Sequence, residues 1–336
     1  MNVSRWRIVA LTTVIASISL AVLYYTFDAS TLTALTRFHP VSLLGVLLVI
    51  AMGMYFDAAR LVRLCAVAGY QVSMAAATRV VFGNYFLALL TPGASGGAMI
   101  QVLFLKRAGI PTGTATVVVL ARTILSIFFL LVCLPFVFHY DPQILPWFDR
   151  RGIVRIAVFL LGLAIVGMLL LRSRISDRLA VVTLKRLPIR WRFRLMKVYR
   201  DMRGALGLIA ASPLQVMRAF LESALSLLAI YVMVPLLFVG MGASLDWPLV
   251  MGRMIFINLL LYFAPTPGGA GVAEGLFINS FRSMVSLGTV GVAALGWRLF
   301  AEYLPACVGG YFTVKEFGLS FLMKKNTAKE QEGELQ

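Results

Sequence analysis

Acidic residues are scarce in this chain: 14 Asp plus Glu stand against 31 Lys plus Arg in 336 residues, a formal net charge of +17. Charge of either sign is also thin, at 13% of residues against about 25% in a soluble domain, while 60% are hydrophobic. A soluble enzyme is excluded. Histidine is nearly absent, and His39 and His139 each fall in a short loop with no second ligand near in sequence, which argues against a zinc or iron site. Cys65, Cys133 and Cys307 lie far apart in apolar runs and form neither a disulfide framework nor a CxxC pair. The phosphate-cradling GxxxxGK[ST] loop is missing, so no ATP-driven step is expected, and no cofactor is called for. What is present is apolar length. Mean hydropathy is +0.89, and runs such as Ile8 to Phe27 match the thickness of a bilayer. The expected fold class is an all-α polytopic membrane protein.

Six full spans are expected: Ile8 to Phe27, Val41 to Ala58, Thr112 to Phe138, Ile153 to Leu171, Leu214 to Val239 and Leu287 to Phe312. Arg5 and Arg7 precede the first run as in a signal peptide, but it has no small-x-small cleavage site and reads as a retained span. Two further apolar stretches, Val80 to Lys106 and Pro248 to Phe281, are each broken near the middle by a Pro-Gly cluster. Their halves are too short to span. Broken helices at membrane depth survive only where protein or a wet cavity satisfies the freed amides, so both read as re-entrant hairpins.

Positive charge then orients the chain. Arg5 and Arg7, then Arg60, Arg63 and Arg79, then Lys106 and Arg107, fall on one side, the cytoplasmic one. Arg172 to Arg203 carries eleven Lys or Arg against Asp177 and Asp201 and belongs there too. Leu195, Val198, Tyr199, Met202 and Leu206 recur at helical spacing within and just after it, which predicts an amphipathic helix on the inner leaflet. In a membrane protein such a loop orients the chain and meets anionic lipid; nucleic acid is not an expected partner. Asp57, Arg60 and Arg63 read as interface anchors at the end of the second span. Residues 1–325 are expected to form one transmembrane domain, with hairpins at about 80–106 and 248–281 and a basic loop at 172–213. Residues 326–336 read as a disordered tail, and both termini as cytoplasmic.

The two hairpins repeat one pattern. Phe82-Gly83-Asn84 precedes Thr91-Pro92-Gly93-Ala94-Ser95-Gly96-Gly97, and Phe256-Ile257-Asn258 precedes Thr266-Pro267-Gly268-Gly269-Ala270-Gly271. Asn84 stands 8 residues before Pro92 and Asn258 stands 9 before Pro267; Arg122 follows the first proline by 30 and Arg298 follows the second by 31. Three full spans separate the copies, so the second is inverted relative to the first, as in many secondary transporters whose broken helices mark a midplane site. Each second half-helix would point its free amides and positive dipole end at that site, ready for an anion such as phosphate. Arg122 and Arg298 sit deep in spans, where a charge needs a partner or a cavity. Glu302 lies four residues after Arg298 on the same face, and Glu274 lies in the second return arm. The alternatives are structural: an Arg298–Glu302 ion pair, Glu274 paired with either arginine, and Pro-Gly clusters that are only kinks or packing sites.

Thr91-Pro-Gly-Ala-Ser-Gly-Gly-Ala-Met-Ile-Gln101, Lys106-Arg107-Ala-Gly-Ile-Pro111, Arg122 and Ala264-Pro-Thr-Pro-Gly-Gly-Ala-Gly-Val-Ala-Glu274 together resemble the lysylphosphatidylglycerol synthetase transmembrane, or flippase-like, family. The resemblance covers roughly residues 5 to 320. It implies the lipid-flipping half of an enzyme of aminoacylated phosphatidylglycerol, or a stand-alone relative in hopanoid, glycolipid or polyprenyl-linked sugar pathways, in a bacterial inner membrane. Pro92, Gly93, Gly96, Gly97, Gln101 and Arg122 match the first motif, and Pro267, Gly268, Gly269, Gly271 and Glu274 the second. Ala98 departs from it, standing where relatives often carry an acid. The chain ends about twenty residues after the last span, so no aminoacyl-transferase domain is expected.

The leading expectation is a translocase, not an enzyme, that passes an anionic or glycosylated lipid headgroup between the hairpins, passively or with ion coupling. Its substrate-binding residues would be Asn84, Thr91, Pro92, Gly93, Gly96, Gly97, Gln101, Arg122, Asn258, Thr266, Pro267, Gly268, Gly269, Gly271, Glu274, Arg298 and Glu302. The arginines would neutralise phosphate, and the glutamates would balance the empty site or meet a cationic or sugar group. Two rivals stay open: a headgroup-modifying enzyme using Glu274 or Glu302, and a non-transporting partner of an envelope-biosynthesis enzyme.

Overall fold

The computed structural model of the chain describes residues 38–91, 93–141 and 189–318, with Gly162 alone between the last two. The expected spans Ile8 to Phe27 and Ile153 to Leu171, Pro92, the basic run before Ile189 and the tail at 326–336 lie outside the described residues. Every regular element among those described is helical: α1 (Pro40–Val67), α2 (Met74–Leu89), α3 (Ser95–Arg107), α4 (Thr112–Tyr140), α5 (Ile189–Ala210), α6 (Pro213–Gly240), α7 (Trp247–Leu261), α8 (Val272–Phe281), α9 (Leu287–Arg298) and α10 (Leu304–Thr313). A π turn, Leu299–Tyr303, joins the last two, and a second, Val314–Gly318, follows.

Helix starts follow local chemistry. Pro40, Pro213 and Pro248 occupy first-turn positions, where a missing N–H costs nothing. Ser73 and Ser286 cap α2 and α9 by accepting from the amides of Ala76 and Thr289. Helices α1, α4 and α6, at 28, 29 and 28 residues, are long and apolar enough to cross a membrane. Each rises roughly 42 Å at about 1.5 Å per residue, more than the ~30 Å hydrocarbon core.

The broken stretches are helical hairpins, α2–α3 and α7–α8. Their tips turn through left-handed backbone, at Gly93 and Ala94 in the first and at Gly268, Gly269 and Gly271 in the second. The tips touch. Gly268 has φ +58, and a Cβ there would lie 2.6 Å from Cδ1 of Leu89, so glycine is required both by conformation and by contact.

Packing exchanges partners between the halves. Helix α1 lies along α6; α2 packs on α10, where Gly309 admits the Phe82 carbonyl; α7 packs on α4, where Gly252 faces Val137. One apolar core gathers Val46, Leu61, Val118, Met233, Phe238 and Phe277. Leu48, Leu120, Ile124, Phe136, Leu221 and Leu225 face outward and are exposed. Helices apolar on both faces suit a solvent that is itself apolar.

Three expectations are revised. Helix α1 runs nine residues past Ala58, so Asp57 and Arg60 fall inside the helix and not at its end. The last span is interrupted by the π turn, because Pro305 supplies no N–H to the preceding turn and Leu304 bonds instead to the Leu299 carbonyl, five residues back. Helix α5 docks on protein: Met202 and Leu206 pack against the core, Ala205 and Ile209 are buried, and Gly113 of α4 meets the backbone at Val198 and Met202.

Candidate functional site

Asp57 stands ten residues before the end of α1 and Arg122 ten residues after the start of α4, at equal depth. With Arg60, one turn beyond Asp57, they form a buried cluster of two cations and one carboxylate. Asp57 Oδ1 accepts from Arg60 Nε at 2.8 Å and from Arg122 Nε at 3.0 Å, and its Oδ2 takes Arg122 Nη2. Arg122 Nη1 donates to Gln101 Oε1 at 2.9 Å, and Gln101 Nε2 donates to Asn84 Oδ1 at 2.8 Å. Arg60 Nη1 donates to Ser126 Oγ at 2.6 Å. The chain of bonds ties α1, α2, α3 and α4 together. Two cations on one aspartate leave it formally +1.

A second cluster has the opposite balance. Arg298, at the end of α9 and fully buried, donates from Nε to Glu274 Oε1 at 3.0 Å, and its Nη1 pairs with Glu302 Oε2 as an ion contact without an aligned hydrogen bond. Its guanidinium lies 5.4 Å from the Tyr303 ring centre. Glu274 Oε2 also accepts the Gly271 amide at 2.7 Å. Two carboxylates on one arginine leave this cluster formally −1. Burying such a cluster is tolerable only with its counter-charge in place.

Between the hairpin tips opens a cavity of about 410 Å³. Asp57, Arg60 and Arg122 line one part and Glu302 another, and Tyr85 is within electrostatic reach of both. Of the residues expected from sequence, Asn84, Gly93, Gln101, Arg122, Asn258, Thr266, Gly268, Gly269 and Glu302 reach its wall. Thr91, Gly96, Gly97, Pro267, Gly271, Glu274 and Arg298 do not. Thr91 and Gly96 fold back on each other, the hydroxyl of Thr91 accepting the Gly96 amide at 2.9 Å. Gly97 lets Asn84 approach. Glu274 caps α8 with its own carboxylate, so the expected anion seat at that helix end is already filled from within the chain. Arg298 lies behind Glu302, away from the cavity.

Asp57 and Arg60, expected as interface anchors, prove to be cavity residues, 2% and 4% exposed. Charges spaced three apart inside an apolar run were the available signal; ending the span at Ala58 hid it. Arg63 lies outside this cavity, with Nε 2.9 Å from both Glu222 oxygens, on a larger, more open hollow at the Val67 end of α1. That hollow touches neither hairpin tip. Tyr85, Ser126, Tyr231 and Tyr262 were also missed as wall residues, having no mark in sequence beyond polarity in an apolar run.

The model of the family described as "Lysylphosphatidylglycerol synthase TM region" matches residues 8–309. The chain is also similar to a "UPF0104 membrane protein" of Archaeoglobus fulgidus, 22% identical over 243 residues, which are 70% of this chain and 74% of that protein. A match over most of the length, on a helical architecture with three long apolar helices, leads to one conclusion: the chain belongs to the lysylphosphatidylglycerol synthase transmembrane family, membrane proteins tied to the handling of lipids.

Proposed function

We propose that this protein is an inner-membrane lipid translocase, which passes the headgroup of an anionic or glycosylated lipid through the cavity between the hairpins while the acyl chains stay in the bilayer. The observation that carries this reading is the cavity itself: a polar chamber walled by both broken helices, with two arginines sharing one aspartate on its surface. The net positive wall of Arg60 and Arg122 attracts a phosphate. Because Asp57 already holds both guanidinium groups, binding is an exchange in which phosphate oxygens take over bonds from the Asp57 carboxylate. Glu302, on the wall of opposite balance, meets a cationic or hydroxylated part of the headgroup.

The exchange of packing partners between halves supports an inverted repeat, with α1, α2 and α4 corresponding to α6, α7 and α9–α10. In this reading both termini face the cytoplasm, and access alternates as one half rocks against the other. The site residues are those of the cavity wall, with Glu274 and Arg298 acting behind it by fixing Glu302.

The test is movement of fluorescent lipids in proteoliposomes. Acceleration over empty liposomes for anionic or glycosylated headgroups, lost in Arg122→Ala, is the expected result. Acceleration for no headgroup sinks the reading.

A further inference from the structure

Two hydroxyls in the cavity wall lack hydrogen-bond partners among the described residues: Tyr231 Oη and Thr266 Oγ1, both buried atoms. Tyr231 is 1% exposed. Polar atoms buried in this way are rarely left unpaired without a purpose, because desolvation is uncompensated. Their counterparts in the first half are both occupied. Tyr231 stands 27 residues before Asn258, as Asp57 stands 27 before Asn84, and Asp57 is saturated by two arginines. Thr266 corresponds to Thr91, whose hydroxyl donates to the Leu87 carbonyl at 2.7 Å and accepts from Gly96. Pseudo-equivalent positions thus hold a charge cluster and a closed turn in one half, and two open hydroxyls in the other.

The chemistry these hydroxyls select is neutral. Neither carries charge, and the same cavity wall also holds the amide of Asn258 and the ring of Trp297. Hydroxyls with amides and aromatic faces match a polyhydroxylated group, whose own hydroxyls both donate and accept. A bare phosphate needs only the arginine wall.

Resting on the translocase reading, we infer that Tyr231 and Thr266 form a second, uncharged subsite of the cavity, which hydrogen-bonds the hydroxyls of a polyol or sugar carried beyond the phosphate of the headgroup. Tyr231 is then a specificity-determining residue, and Arg122 serves any phosphate.

The experiment uses the full chain in proteoliposomes and compares fluorescent phosphatidylglycerol with fluorescent phosphatidic acid, which differ by the glycerol. The wild-type protein should move the glycerol lipid faster. Tyr231→Phe, which keeps the ring, should reduce that ratio about fivefold, the scale of one neutral hydrogen bond, and Thr266→Val should act in the same direction. Equal rates for the two lipids in the wild type, or a ratio untouched by Tyr231→Phe, overturns the subsite even if transport is robust. If neither lipid moves, the translocase reading fails on its own, and thermal shift by short-chain forms of the same lipids decides the subsite. A larger shift with the glycerol form, abolished by Tyr231→Phe, supports it; equal shifts overturn it.

Discussion

The two hairpins share a sequence pattern and solve the same electrostatic problem differently. Each half buries an arginine in the long helical segment after its hairpin, Arg122 or Arg298. In the second half the counter-charge is local: Glu274 comes from the return arm, 24 residues before Arg298, and Glu302 lies four after it. In the first half those positions are Ala98 and Ser126, at the same spacings from Arg122, and the carboxylate comes instead from Asp57 on α1. Moving the acid from the hairpin to the preceding helix brings a second arginine, Arg60, with it. The same scaffold thereby carries a net positive wall in one half and a net negative cluster in the other. Symmetry of backbone does not impose symmetry of charge.

Removing the arginine should hurt the second half more. Arg298→Ala leaves Glu274 buried, and Glu302 partly buried at the cavity wall, without a cation and should cost about 3–5 kcal/mol, measured as thermal unfolding of the detergent-solubilised protein. Arg122→Ala leaves Asp57 still held by Arg60 and should cost less, about 2–3 kcal/mol, the scale of lost charge-assisted hydrogen bonds. If Arg122→Ala proves the more damaging, the two clusters are not organised as described.

The contact between tips comes next in size. Gly268→Ala places a Cβ both in left-handed backbone and against Leu89 and should cost roughly 1–3 kcal/mol. A neutral effect in the same unfolding assay would mean that the tips do not meet.

The source of the carboxylate can be moved. Asp57→Asn should destabilise the first half, and adding Ala98→Glu, at a position on the cavity wall, should restore part of the loss, about 1–2 kcal/mol. Thermal unfolding of the single and double variants checks this, and simple additivity of two losses would break the proposed equivalence of Ala98 and Glu274. The smallest effect separates the threonines. Thr91→Val deprives the Gly96 amide of its acceptor and should cost about 1 kcal/mol, whereas Thr266→Val removes a hydroxyl with no partner among the described residues and should be close to neutral in unfolding.

Much of this was legible in the linear chain. Hydropathy placed α1, α4 and α6 to within a few residues at most ends. The Pro-Gly clusters located both tips, because proline and glycine act through their own backbone and need no tertiary partner. Nine of the expected site residues reach the cavity wall. The misses share a cause. Asp57 and Arg60 looked like the end of a span because charge usually marks a membrane boundary, and only packing against Arg122, Ser126 and Gln101 makes that depth tolerable. Glu274 was expected in the cavity because it shares a motif with residues that line it, and Arg298 because of its depth in a span and its spacing from Pro267. One turn of helix nevertheless separates cavity from core: Glu302 lines the opening, and Arg298, on the same face and paired to it, is fully buried.

Composition and pattern alone determined that this is a helical membrane protein built on two broken hairpins, since solvent preference and backbone chemistry are properties of the residues themselves. The Arg298–Glu302 pair follows from its i,i+4 spacing, but which carboxylate answers Arg122 was decided only by the tertiary structure. An ion pair depends on distances of about 3 Å between side chains that can be 65 residues apart, as Asp57 and Arg122 are, and no local rule carries that information. The near absence of acid is where this matters most: with few carboxylates available, their placement in three dimensions sets the sign of each wall.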